Sequence, residues 1–157
     1  MRDDQEGRTA GGTCLAALPD FAPVLGTHCL LDLFDCQAPS LDDPAELERL
    51  ARAAAQAAGA QVLGVLHHQF EPQGVSLVCL LAESHLSLHT WPEQGRVAAD
   101  IYTCGAHCQC EAACRFLIAA LRPRSTSMTT VQRGRIPTAL PTTPFMTPPT
   151  ANSSANP

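Results

Sequence analysis

VSLVCLLAESHLSLHTWPEQGRVAADIYTC, residues 75–104, decides the fold. VSLVCLLA (75–82) is a short apolar run of strand length, and SHLSLHTW (84–91) alternates with period two. That alternation puts Leu86 and Leu88 on one face and His85, Ser87 and His89 on the other. RVAADIYTC (96–104) reads as a further strand after the turn chemistry of PEQG (92–95). Connections this short join antiparallel neighbours, because a parallel pair needs a long crossover. The junction Glu83-Ser84 interrupts the apolar run with a carboxylate, a hydroxyl and then an imidazole. Such a junction is either a strand ending in a turn or a set of reactive groups held at the end of a rigid element.

Working outward, GTHCLLDLFDC (26–36) predicts a strand, with Asp32 and Asp35 near its exit. DDPAELERLARAAAQAAG (42–59) predicts a helix: Asp42 or Asp43 can cap it, Pro44 suits its first turn and Gly59 its exit. Leu47, Leu50, Ala51, Ala54 and Ala58 form its apolar stripe. AQVLGVLHHQF (60–70) predicts a strand closed by the turn EPQG (71–74). CQCEAACRFLIAAL (108–121) predicts a second helix, and TSMTTVQRG (126–134) a last strand. The expected fold is α+β, a two-layer sandwich with two helices packed on one face of an antiparallel sheet. The other face must be unusually polar or covered, and a second copy of the chain is one way to cover it. Residues 1–22 are expected to be a flexible segment and residues 136–157, rich in Pro and Thr, a disordered tail. The domain proper is expected at 23–135.

The 157-residue chain suffices for one domain with a real core. Its net charge of -5 and the absence of a basic run argue against a nucleic-acid platform. The opening MRDDQEGRTAGG lacks the apolar segment of a secretion signal, and no apolar run approaches the roughly 18 residues of a membrane span. A soluble, cytoplasmic protein is expected. Eight cysteines are many for that compartment, and a disulfide framework is not expected there. Cys29, Cys36 and Cys79 read as small core residues, with Cys14 the fourth of the scattered set. There is no lysine: all ten basic residues are arginine. A lysine Schiff base, to pyridoxal phosphate or to a substrate, is therefore impossible.

Ser84 needs a base or strained geometry to become a nucleophile. His85 and His89 share a strand face, which also suits a zinc pair, but no firm third ligand is evident. The spacing of Cys104, His107, Cys108, Cys110 and Cys114 is not a paired zinc array. Cys114 fits a helix stripe, whereas Cys104 ends a strand close to a predicted helix start, where a thiol can be activated. Phe70 and Trp91 lie beside turns, either as core caps or as a slot for a flat ligand.

ESHLSLHTWPEQG (83–95) followed by DIYTCG (100–105) closely resembles the prokaryotic S-adenosylmethionine decarboxylase proenzymes. The likeness spans roughly residues 25 to 135 and includes GVS (74–76), TCG (103–105) and RGR (133–135). It implies self-cleavage between Glu83 and Ser84. The serine attacks the preceding carbonyl, the resulting ester undergoes β-elimination, and hydrolysis leaves a covalent pyruvoyl group at the new N-terminus. That group forms a Schiff base with the substrate amine and serves as electron sink, with neither pyridoxal phosphate nor a metal required.

By the same resemblance, His89 is the processing base and Ser76 assists it. Cys104 is the proton donor in decarboxylation, Phe70 stacks on adenine and Glu93 holds the ribose hydroxyls. His85, Trp91 and Asp100 match the motif without an assigned role. Chains 1–83 and 84–157 are expected to stay together in a homodimer whose sites are completed across the interface. The implied substrate is S-adenosylmethionine, its product feeding spermidine and other polyamines. Arg96, where many relatives have an aromatic, and Cys108 and Cys110 depart from the pattern. Two other readings stand beside this one: a pyruvoyl-dependent arginine or ornithine decarboxylase, and a non-catalytic Cys/His metal-binding module.

Overall fold

A computed structural model describes residues 25–37, 39–104 and 107–134. The expected flexible segment 1–22, the tail 136–157, Cys14, Gly105 and Arg135 lie outside the described residues. In chain order the elements are β1 (Gly26–Phe34), a 3-10 turn (Pro39–Asp42), α1 (Pro44–Ala57), β2 (Val62–Gln69), β3 (Val75–Leu81) and β4 (Ser84–Trp91). A second 3-10 turn (Pro92–Gln94), β5 (Arg96–Cys104), α2 (Cys110–Leu121) and β6 (Ser125–Arg133) complete them. The six strands form one sheet in the order β2-β3-β4-β5-β1-β6, with every pair antiparallel. α1 packs over β2, β3 and β4, α2 over β1 and β5, and the helices touch each other. This is the expected two-layer α+β sandwich.

Period-two alternation sorts the side chains. Leu31, Leu33, Leu77, Cys79, Leu86, Leu88, Val97 and Ile101 point to the helices and are buried, as are Leu47, Leu50, Ala51 and Ala54 of α1 and Leu117 of α2. Leu77 and Leu88 are cross-strand partners and both fully buried. Replacing Leu88 by Ala is expected to lower unfolding stability by about 2–5 kcal/mol in urea titration, because the helix-covered core leaves a cavity. Cys29 and Cys79 are core residues as expected; burial pushes the Cys79 thiol up to about 11 and that of Cys114 up to about 12.

Of the two candidate caps, Asp43 takes the role: its carboxylate accepts from the N–H groups of Ala45 and Glu46 at 3.0 and 3.2 Å. Asp42 instead accepts the Gly74 N–H at 2.7 Å, tying the β2–β3 turn to the start of α1. Gly74 has φ +105°, and a Cβ there would lie 3.0 Å from the Thr90 carbonyl oxygen, so the turn requires glycine. α2 begins at Cys110, later than its apolar pattern predicts; Gln109 is its N-cap and donates its N–H to the Ala58 carbonyl at 2.9 Å. Cys110 is the first residue of that helix. It is buried, with its sulfur 3.0 Å from the Thr103 hydroxyl and 3.2 Å from the Thr27 carbonyl oxygen.

Candidate active site

The β3–β4 hairpin closes through two residues, Ala82 and Glu83, with Leu81 paired to Ser84. Hairpins this tight favour turns with positive φ inside the loop, which match the strand twist. Here neither loop residue has one, and Ser84 carries it instead, with φ 150°. Such a backbone is rarely adopted by L residues and costs on the order of 1–3 kcal/mol. The strain sits on the residue after the Glu83–Ser84 peptide bond.

Both sides of that bond are pinned. The Glu83 carbonyl oxygen accepts the Cys104 N–H at 2.9 Å, across from β5, and the Ala82 N–H donates to the Gln61 carbonyl at 2.9 Å. The Glu83 carboxylate accepts the Gln61 N–H at 3.0 Å and lies 3.5 Å from His107 Nε2. The Gln61 amide, aided by His107, holds that carboxyl below the usual carboxylate range despite some burial.

Behind the bond runs a chain of polar groups on the helix-free face. Ser84 Oγ lies 3.1 Å from His85 Nδ1, and His85 Nε2 lies 3.2 Å from Asp100 Oδ2. Asp100 also receives His28 Nε2 at 2.9 Å and the Ser87 hydroxyl, while Arg133 donates to His28 Nδ1 at 3.0 Å. An ionised carboxylate only accepts, so the proton between His85 and Asp100 belongs to His85 Nε2. That leaves the Nδ1 lone pair free for the Ser84 hydroxyl. Burial pushes the Asp100 carboxyl up, but the Ser87 hydroxyl and the two imidazoles outweigh it and hold the group below its ordinary value.

Cys104 is exposed at the end of β5, its N–H on the Glu83 carbonyl. α2 starts at Cys110, beyond the predicted start at Cys108, so Cys104 lies farther from the helix than the apolar pattern suggested. Its neighbour is Tyr102, whose phenol is pushed up, chiefly by a hydrogen bond to Cys104. The Tyr102 ring leans on His28 and His85 with centroids 5.5 and 6.0 Å apart.

The remaining candidates gather at the opposite end of the same face. Ser76 and His89 are cross-strand partners, with Ser76 Oγ 2.7 Å from His89 Nδ1. Phe70 is half exposed and edge-on to His68 at 4.6 Å between centroids, and Glu93 accepts from Gln73 at 3.2 Å. Trp91 is exposed beside that turn, paired with Arg96, whose guanidinium lies 5.0 Å over the Phe34 ring. His89 follows Ser84 by five residues along β4, about 17 Å at strand rise, so within one chain it does not reach the Glu83–Ser84 bond. One chain thus carries two partial sets: Glu83, Ser84, His85, Asp100 and Cys104 at one end, and Phe70, Ser76, His89 and Glu93 at the other.

The motif includes His85 and Asp100 without a role, Arg133 enters only through the RGR match at 133–135, and the sequence assigns His28 nothing. Their meeting depends on the β4–β5–β1–β6 register, which pairs His85 with Tyr102, Tyr102 with His28, and His28 with Val131. The available signal was that each occupies the polar parity of its strand. Among the described residues, two groups have ligand atoms close enough to share a metal ion: His28, His85 and Asp100, and Glu83, His107 and Cys108. In the first, the groups are already satisfied by one another.

A strained serine, a histidine, a carboxylate and a thiol converging at one hairpin define a candidate enzyme of the self-processing kind. A family model described as S-adenosylmethionine decarboxylase matches residues 27–134. The S-adenosylmethionine decarboxylase proenzyme of Parasynechococcus marenigrum (strain WH8102) is 46% identical over 110 residues, covering 70% of this chain and 86% of that one. That of Methanococcus maripaludis is 41% identical over 112 residues, covering 71% and 92%. Among solved structures, the adenosylmethionine decarboxylase from Aquifex aeolicus superimposes with a TM-score of 0.69 at 33% identity, over 76% of this chain and 99% of that one. The chain belongs to the S-adenosylmethionine decarboxylase family.

Proposed function

We propose that this chain cuts itself between Glu83 and Ser84 and uses the pyruvoyl group so made to convert S-adenosylmethionine to S-adenosylmethioninamine and CO2. Family membership makes it a decarboxylase, a carboxy-lyase with a polyamine role, and sets aside the non-catalytic metal module. The observation that carries the reading is the Glu83–Ser84 bond itself: strained at Ser84, polarised by the Cys104 N–H and met by a hydroxyl on His85.

Ser84 suits the pyruvoyl group as its source, because its hydroxyl can reach the preceding carbonyl and no lysine is present to hold a carbonyl cofactor instead. Once formed, that group supplies the ketone that takes up the substrate amine and draws electrons as the carboxylate leaves. Cys104, exposed beside it, is placed to return a proton to the α-carbon. Phe70 offers an aromatic face to adenine, and Glu93 accepts hydroxyls of the ribose. Those two nucleoside-holding positions favour S-adenosylmethionine over arginine or ornithine.

We further infer a homodimer. The two partial sets are complementary, and Leu66 and Leu80 on the helix-free face are 78% and 58% exposed, apolar surface that a second copy would cover. In the dimer His89 and Ser76 of one protomer serve the Ser84 end of the other. We take residues 23–135 as the catalytic domain, which the match over 27–134 supports. Among the described residues no helix is long and apolar enough to cross a membrane. We place the enzyme in the cytoplasm, and take it to need neither a metal nor pyridoxal phosphate.

Two measurements test the reading. Intact mass should show fragments 1–83 and 84–157, the second with a blocked end. The purified protein should release CO2 from carboxyl-labelled S-adenosylmethionine and not from arginine or ornithine. A single uncut chain after long incubation sinks the self-processing; turnover of arginine or ornithine instead would reassign the substrate.

A further inference from the structure

Processing needs two proton abstractions at Ser84. The Ser84 hydroxyl must lose its proton for attack on Glu83, and the Ser84 α-carbon must lose one for the later elimination. From the geometry we propose that His85, oriented by Asp100, is the base for the first of these within the same protomer, leaving the second to His89 of the other. The proposal rests on self-cleavage at Glu83–Ser84 as read above and adds a role for residues that reading leaves unassigned.

The argument is one of reach and tautomer. His85 Nδ1 is the ring nitrogen 3.1 Å from Ser84 Oγ, whereas Ser76 and His89 hydrogen-bond each other far along the strand. Asp100 binds His85 Nε2 at 3.2 Å and so fixes the proton there, keeping Nδ1 open as acceptor. Asp100 is itself held by the Ser87 hydroxyl and by His28, whose Nδ1 accepts from Arg133. The carboxylate therefore has donors on several sides and one orientation.

The step balances without any outside reactant. The Ser84 Oγ proton passes to His85 Nδ1 as Oγ bonds to the Glu83 carbonyl carbon. The carbonyl electron pair moves onto the oxygen that already accepts the Cys104 N–H at 2.9 Å. Collapse breaks the bond from that carbon to the Ser84 nitrogen, which takes the proton back from His85. An amide has become an ester and a free amine, and the strain at Ser84 is relieved. Asp100, His28 and Arg133 act as positioning residues.

Hydroxylamine, which cuts esters and spares ordinary amides, separates the two bases. In His89→Ala the ester should form and be trapped, giving residues 1–83 ending in a hydroxamate and residues 84–157 beginning with unmodified serine. In His85→Gln hydroxylamine should release nothing above the Ser84→Ala background, and spontaneous processing should slow by roughly 10²–10⁴-fold. Asp100→Asn should slow ester trapping as well, because its amide can donate to Nε2 and force the proton onto Nδ1. That loss of trapping at a residue remote from Ser84 is not expected of a merely structural change, provided circular dichroism matches the wild type. Hydroxylamine cleavage of His85→Gln at the His89→Ala rate would overturn the proposal. If His85→Gln fails to fold, Asp100→Asn decides by the same criterion. Wild-type protein that never cuts would instead refute the underlying reading.

Discussion

Ser84→Ala should remain a single 157-residue chain under conditions in which the wild type is cut to completion, and should release no CO2 from S-adenosylmethionine. The expected effect is total because the residue has two successive uses. Its Oγ lies 3.1 Å from His85 Nδ1 at the hairpin, and in the proposed reaction its own atoms become the ketone. Removing the hydroxyl removes both attack and electron sink, and no lysine exists elsewhere to substitute. The fold should survive. Ser84 makes one side-chain hydrogen bond at a strand end, and the β3–β4 and β4–β5 ladders rest on backbone groups that alanine retains. Ser84→Cys is an informative companion: a thiol can make the same attack, so slow cutting without a normal pyruvoyl end is expected. Cutting of Ser84→Ala at the same bond would point to a contaminating protease and remove the support for self-processing.

The second large effect is a rescue. Ser84→Ala and His89→Ala should each fail to process alone, yet a mixed dimer should process. The Ser84→Ala protomer supplies Ser76 and His89, and the His89→Ala protomer supplies Glu83, Ser84 and Cys104. With equal co-expression and random assortment, about half of the His89→Ala chains should be cut, since only mixed dimers hold one complete site. The physical basis is the distance of about 17 Å along β4 between Ser84 and His89, which no rotamer bridges. Differently tagged chains and intact-mass measurement of the tandem-purified mixed dimer provide the readout. Cutting of His89→Ala alone at the wild-type rate would show that the two ends do not cooperate, as would a mixed dimer that stays intact.

Much of this is legible in the sequence. The alternation of SHLSLHTW separates Leu86 and Leu88 from His85, Ser87 and His89, and the structure buries the leucines under the helices. The turns at 71–74 and 92–95 and the junction at Glu83-Ser84 are too short for a parallel crossover, so the β2-β3-β4-β5 run of the sheet follows from connection length alone. The capping position was narrowed to two residues but not to one. Asp42 and Asp43 have the same side chain, and only the approach of the Gly74 N–H decides that Asp42 is occupied elsewhere.

What the sequence by itself determined is the chemistry available: a serine after a glutamate, a thiol twenty residues on, and no lysine to carry a carbonyl. Local pattern suffices for this because residue identity and strand parity are properties of short segments. Tertiary structure alone decided which groups meet. Inserting β1 between β5 and β6 brings His28 to Asp100 and Arg133 to His28, contacts spanning 72 and 105 residues of chain. It also decided that Ser84 carries the strain of a two-residue hairpin, because φ at that position follows from how β3 and β4 register. Above all, it joined Ser76 to His89 at the opposite end of that face from Ser84, because the β3–β4 register sets those two residues against each other.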